Sequence, residues 1–519
     1  MQKKISRRGF LKAASISAAS AAALLATGCS ANSAASAAPD TTPAASDSTA
    51  AETKSGAPKY IFLFIGDGCG QTQIQIANYY QGTVANDGAV VSQPLPFLSF
   101  PCVGTVTTYD ASSFCPDSAS TATSIATGHK TLSGVINMDP ETQTEAYETI
   151  SEKLHSQLGY KVGVISTVNM NHATPAAFYA HQASRGNYYA IGEELCSSGF
   201  EYFAGGAFLA PTGENEDQTD LLERAAEAGY QVVTTQKDAE ALAAGAGNTL
   251  IIAEKTADGD AMNYSMDAAD GEWQLTDYVN KGIELLDGDA GFFMMAESGK
   301  IDWACHANDA AASIHDVIEL GNAVQAAYAF YEQHKDETLI LVTADHETGG
   351  LTIGYATTNY DTFLYNLQQQ TMSYAKFDTE YVAKYQADKT AFADAMQDVK
   401  ACFGLLLPDD PDATEDNTLV LTDWEAENLE YAYNRTLETG SASQDEMTQA
   451  DYEKFGTYQP FSMEICHLIA HKSGVSHTTY AHTGAPVALY AIGCGAEQFV
   501  GNYDNTEIYN KLAALTGVQ

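Results

Sequence analysis

The sequence predicts an α/β fold with a mostly parallel central sheet, helices on both faces and a large insertion near the functional residues. Two observations predict it. Several short, continuous apolar runs are separated by helical stretches, as expected for strands buried on both faces. Most of these runs end in polar residues able to do chemistry, and such sheets gather ligands at the carboxyl ends of their strands.

The runs follow in order. Tyr60-Ile61-Phe62-Leu63-Phe64-Ile65 leads into Gly66-Asp67-Gly68. Val162-Gly163-Val164-Ile165 leads into Ser166-Thr167, with Asn171-His172-Ala173-Thr174 just beyond. Phe292-Phe293-Met294-Met295 leads into Ala296-Glu297, and Leu339-Ile340-Leu341-Val342 into Thr343-Ala344-Asp345-His346. Val487 to Ile492 is the last run; it ends at Gly493, with His482-Thr483-Gly484 before it. Between them, Cys115-Pro116-Asp117-Ser118-Ala119-Ser120-Thr121 starts a small-residue helix at a serine. The free N–H groups of a helix N-terminus suit a phosphate there. Residues 351–470 are rich in Tyr, Asp, Glu and Gln, include a helical stretch from Asp423 to Leu437, and read as an insertion between His346 and His482.

The first residues are an address. Ser6-Arg7-Arg8-Gly9-Phe10-Leu11-Lys12 is a twin-arginine export signal, followed by an apolar run from Ala13 to Ala26 that is too short to span a membrane. Leu25-Ala26-Thr27-Gly28-Cys29 resembles a lipobox, which makes Cys29 the expected lipidation site and membrane anchor. The expected organisation is a signal peptide over 1–28, a flexible Ala/Ser/Thr/Pro tether over 29–57 and a catalytic domain over 58–519, with an insertion (crown or lid) at 351–470.

The formal charge is -42. Residues 1–28 carry five cations (Lys3, Lys4, Arg7, Arg8 and Lys12) and no acid, so export leaves the chain more negative still. That surface repels nucleic acid, and any anion site must bring its own positive charge. Metal ions do that. Eight cysteines remain beyond Cys29, with no C-x-x-C spacing. Their pairing is not legible, and Cys69 and Cys305 read as buried thiols rather than ligands.

Asp302-Trp303-Ala304-Cys305-His306 sets a carboxylate and an imidazole four apart, on one side of a helix, a geometry that grips one metal. Thr174 offers a hydroxyl to a hard cation, and the fork of Arg185 fits two phosphate oxygens. A serine beside scattered Asp, Glu and His reads as metal-assisted phosphoryl transfer.

Taken together and in this order, these segments resemble alkaline phosphatase over roughly residues 58–350 and 475–519. The resemblance implies hydrolysis of small phosphate monoesters by a homodimer. Ser118 would become the phosphoserine. Asp302, His306 and His482 would hold one Zn(2+), and Asp67, Asp345 and His346 a second. Thr174 and Glu297, bridged by Asp67, would hold one Mg(2+), and Arg185 would clamp the phosphoryl oxygens. His172 and Trp303 stand where one branch of the family has Asp and Lys. His172 leaves the third ion open, and Trp303 removes a cation that would retain phosphate. A phosphodiesterase or sulfatase of the same superfamily is the alternative, although sulfatases present Cys-x-Pro-x-Arg where this chain has Cys115-Pro116-Asp117-Ser118-Ala119. A non-catalytic metal-binding surface lipoprotein is a further one.

Overall fold

The computed structural model describes residues 56–519. The expected export signal, Cys29 and residues 29–55 of the expected tether lie outside the described residues. Ten strands form one sheet. They are β1 Tyr60–Gly66, β2 Cys102–Thr107, β3 Lys161–Asn169, β4 Tyr202–Gly206, β5 Gln231–Val233, β6 Thr249–Ile252, β7 Phe292–Ser298, β8 Thr338–Ala344, β9 Val487–Gly493 and β10 Gly501–Asp504. Their order across the sheet is β10-β2-β9-β8-β1-β7-β3-β4-β6-β5. β1 lies at the centre, with Tyr60 opposite both Thr338 and Phe292. Every residue of β1, β7 and β8 is buried, so both faces are covered, which is why these strands read as unbroken apolar runs.

β9 alone is reversed, antiparallel to β8 on one side and to β2 on the other. This corrects the reading of its end. Gly493 pairs with Leu339, at the start of β8, and so lies at the edge away from Asp345. The reversal brings the beginning of β9 to the functional edge. His482, which precedes its strand, thereby joins residues that follow theirs.

The long helix Ala310–Tyr331 packs on the helices Gln71–Ala85 and Leu275–Leu286. The helix Ser118–Thr127 packs on Thr506–Thr516. Residues 351–470 contain the helices Phe392–Phe403 and Asp423–Glu438 and most of Pro460–Lys472. Thr422 and Glu425 close a capping box at the start of the second of these. The stems of the segment meet where Thr352–Ile353 pairs antiparallel with Val475–Ser476. An apolar cluster joins Tyr374, Ala432, Phe455, Met463 and Cys466 to Ala304 and Ala307. The segment therefore rests on the helix Lys300–His306, beside Asp302 and His306. All eight cysteines of the described residues are free thiols, with Cys69 and Cys305 buried.

Candidate active site

Ser118 is the first residue of a helix whose ten residues are all buried, and all but Ile125 have small side chains. Asp117 caps the helix by accepting from the Ser120 N–H at 3.1 Å. The Ser118 Oγ lies 3.2 Å from His346 Nε2 and 3.4 Å from Asp67 Oδ2. Asp67 directly follows β1, and Asp345 and His346 follow β8. Their turn demands glycine at position 68, where φ is +68° and a Cβ would sit 2.9 Å from Asp302 Oδ1. Asp345 Oδ1 accepts from the N–H groups of Gly68 at 3.2 Å and His346 at 2.8 Å.

Asp302 and His306 meet across one helical turn, Oδ2 to Nε2, at 3.3 Å. His482 Nε2 stands 3.0 Å from His306 Nε2 and 3.6 Å from Asp302 Oδ1. Each of these two rings bonds a backbone carbonyl through Nδ1, His306 that of Tyr480 at 2.6 Å and His482 that of Pro116 at 2.5 Å. Both Nε2 atoms are thus turned toward each other, an arrangement that suits a cation shared between them. The His346 ring stacks on His482 at 3.7 Å, which links the two groups. Thr348, unmarked by the sequence reading, donates its hydroxyl to Asp302 Oδ1 at 2.5 Å.

The electrostatics point the same way. Asp67, Glu297, Asp302 and Asp345 are all buried. Burial, then Asp345, Asp302 and Glu297, push Asp67 well up. Burial with Asp302 and Glu297 lifts Asp345 to about 8, and burial lifts Glu297 to about 7. Asp302 goes the other way: burial alone would raise it, but His306, His482 and His346 hold it well below the usual range. Burial would lower His306, yet Asp302 takes it to about 9. Asp67 Oδ1, Glu297 Oε1 and Thr174 Oγ1 are buried without hydrogen-bond partners. Two sets of ligand atoms converge, Asp67-Asp345-His346 and Asp302-His346-His482. Crowded carboxylates, inward imidazoles and orphaned oxygens fit divalent cations.

Arg185 is held by Asp117, Nη1 to Oδ2 at 2.9 Å, and its Nη2 contacts His172 Nε2 at 3.2 Å. Burial and Arg185 push His172 down to about 3, so the ring is neutral and its Nε2 accepts from the guanidinium. His172 Nδ1 then carries the proton and is buried without a partner. In this arrangement His172 buttresses Arg185 through Nε2. Ser118 and Arg185 line one pocket of about 410 Å³, together with Asp258, Trp303, Tyr374 and Tyr458. Arg185→Ala should weaken inhibition by phosphate about 10–100-fold, the worth of charge-assisted bonds to an anion. An unchanged inhibition constant would remove Arg185 from the anion site.

Trp303 lines the pocket, and its ring lies 5.9 Å from that of His172 in a T-shape. Sequence reading found no ammonium here, but the structure has one. Lys300, one turn earlier, is fully buried with its Nζ 4.4 Å from the Trp303 ring, 3.9 Å from the Tyr264 ring and 3.1 Å from Asp258 Oδ2. It lies behind the indole. Trp303→Lys would add a charge on the pocket side and should tighten phosphate inhibition about tenfold, despite repulsion from Lys300. Equal inhibition of the metal-replete variant and wild type would mean that Trp303 only packs its helix. Lys300, Asp258, Tyr374 and Tyr458 escaped the sequence reading because none lies in a spaced motif. The one available signal was the helical i, i+3 spacing of Lys300 and Trp303.

The family model described as alkaline phosphatase matches residues 58–518. Alkaline phosphatase 3 of Bacillus subtilis is 29% identical over 460 residues, spanning 87% of each chain. Alkaline phosphatase 4 of the same organism is 28% identical, again over 87% of each. Among solved structures, a cold-active alkaline phosphatase from a Shewanella species is 27% identical, with a TM-score of 0.71 over 88% of this chain and 99% of that one. The Thermus thermophilus enzyme, 21% identical, shares the fold with a TM-score of 0.70 over 92% of this chain and 96% of its own. A serine at a buried helix start, facing convergent metal-type ligands, thus lies within a match covering nearly all of the described chain, and the chain belongs to the alkaline phosphatase family.

Proposed function

We propose that Ser118 and Arg185 carry the reaction of this enzyme, a metal-dependent phosphoric monoester hydrolase. The observation that carries the reading is the position of the Ser118 Oγ, at a helix N-terminus, within 3.4 Å of both Asp67 and His346. Ser118 attacks phosphorus, the ester P–O bond breaks, and the alcohol leaves with a proton. Water then cleaves the phosphoserine, releasing inorganic phosphate and restoring the hydroxyl. Arg185, fixed by Asp117 and backed by His172, binds the non-reacting oxygens and orients the phosphoryl group in both steps.

Two Zn(2+), one held by Asp302, His306 and His482 and the other by Asp67, Asp345 and His346, with Mg(2+) held by Thr174, Glu297 and Asp67, would supply Lewis acidity and make serine and water nucleophilic near neutral pH. The orphaned Thr174 and Glu297 oxygens support the third ion, and elemental analysis would give its identity. The twin-arginine sequence supports export, Cys29 supports a lipid anchor at the cell membrane, and the family resemblance supports a homodimer. Membrane fractionation of wild type and Cys29→Ala, with sedimentation of the soluble form, tests these.

A chromogenic monoester and its diester counterpart separate the main reading from its alternative. A monoester dianion offers more charge to Arg185 and the metals, so its hydrolysis should be faster by about 100-fold or more. A preference for the diester would favour a phosphodiesterase, and turnover of neither would leave a non-catalytic lipoprotein.

A further inference from the structure

A second cavity, of about 490 Å³, adjoins the catalytic pocket. Asp258 and Tyr374 line both, so the two cavities share these residues. No residue of this second cavity belongs to the phosphoryl machinery. Five carboxylates line it: Asp258, Asp267, Glu272, Asp378 and Glu380. Only two lysines do, and one of them, Lys255, already lies 3.9 Å from Glu272. Asp258 is matched by Lys300, and Asp267 accepts from the N–H and the hydroxyl of Ser373. Asp378 is different. Its Oδ1 is buried without a hydrogen-bond partner, and the Ser462 side chain offsets only part of the effect of burial on its charge. A buried carboxylate oxygen without a donor costs stability unless a ligand supplies one.

The lining suits an organic cation better than a metal. Among the described residues, the groups of three or more ligand atoms close enough to share an ion are the two around Ser118, and these five carboxylates form none. Tyr264 and Tyr374 add aromatic surface, their rings 6.1 Å apart. Carboxylates spread over an aromatic-walled cavity suit a diffuse ammonium better than a small, hard ion. The alcohol half of a phosphate ester bound at Ser118 has this cavity as a neighbour.

We propose that this cavity receives the alcohol portion of the substrate and that the preferred substrates are phosphate monoesters whose alcohol carries an ammonium group. The proposal rests on the phosphomonoesterase reading. Burial lifts Asp378 to about 7, so in the alkaline range it is charged and able to pair with such a group. Asp378 and Tyr374 belong to the inserted segment, which would thereby act as the specificity element over a general phosphoryl site.

The test compares alkyl phosphates ending in a primary ammonium, two to six carbons long, with their methyl-terminated isosteres, which match them in shape and lack both the charge and the N–H donors. Wild type should favour the cationic ester at its best chain length by about tenfold in kcat/KM, and Asp378→Asn should cut that preference to about twofold or less. The neutral isosteres give the reference rate in each protein, so the preference is read as a ratio within each. Equal kcat/KM for the two series in wild type would overturn the proposal by itself, without the variant, while leaving the monoesterase reading intact. A cationic preference unaffected by Asp378→Asn and by Glu380→Gln would also overturn it, because the charge would then be sensed elsewhere. Failure of wild type to hydrolyse either series or a chromogenic monoester would instead refute the underlying reading.

Discussion

Ser118→Ala is expected to lower turnover by on the order of a thousandfold or more, because the covalent step has no other hydroxyl to use. The neighbouring hydroxyls are committed. Ser120 Oγ bonds to Asp110 and Asp117, and Thr121 Oγ1 to the Asp117 carbonyl at 2.9 Å. Ser118 makes only long contacts to Asp67 and His346, so its loss leaves the ligands in place. The variant should keep its metal content and its melting temperature. Retained metal with lost turnover places the defect in the chemical step. Wild-type rates in a variant free of contaminating phosphatase would refute the assignment.

Chelation is expected to abolish essentially all turnover and to make stability strongly pH-dependent. The folded carboxylates take up protons well above the ordinary range, Glu297 to about 7 and Asp345 to about 8, first through burial and then, for Asp345, through Asp302 and Glu297. The unfolded chain releases those protons near pH 4. Between these limits the metal-free folded state binds more protons than the unfolded one, so its stability falls as pH rises. His306, lifted to about 9 by Asp302 against the lowering effect of burial, adds to the trend above its ordinary value near 6.5. His346 and His482, depressed by burial, act oppositely, but only below about pH 6.5. The metal-free protein should therefore lose melting temperature steadily from about pH 6.5 to 9, and zinc plus magnesium should restore it most at the alkaline end. Calorimetry across that range decides. Parallel curves with and without metal would mean that the ions do not compensate these carboxylates.

The strands that could be read from the sequence are the central ones. β1, β7 and β8 are buried on both faces and β3 nearly so, and their apolar runs show it. β5 and β10, at the sheet edges, have three and four residues of mixed character and left no such trace. β9 was visible as a run but its direction was not, because an apolar segment reads alike in either sense. Its connections set the reversal, and with it the placing of His482 and Gly493. Residues of metal-ligating type were legible where an unusual residue stands at a strand end, as with Asp67 and Asp345, or where a helical spacing pairs two of them, as with Asp302 and His306. His172 was legible as a departure but not as a partner of Arg185, since that contact depends on the fold of two loops. Lys300, Asp258, Tyr374 and Tyr458 were silent. Each is an ordinary residue in its own segment, and the pocket exists only once the inserted segment packs on the helix Lys300–His306.

The most direct test of the central claim is to trap the covalent intermediate. The metal-replete enzyme is incubated with a phosphate monoester, quenched in acid within the first turnovers, digested and analysed by mass spectrometry. A single phosphoryl group should appear on the peptide containing Cys115 to Thr123, localised by fragmentation to Ser118, and should disappear when the substrate is exhausted and phosphate removed. Phosphate on another residue, or steady turnover with no phosphorylated peptide at any quench time, would contradict the account.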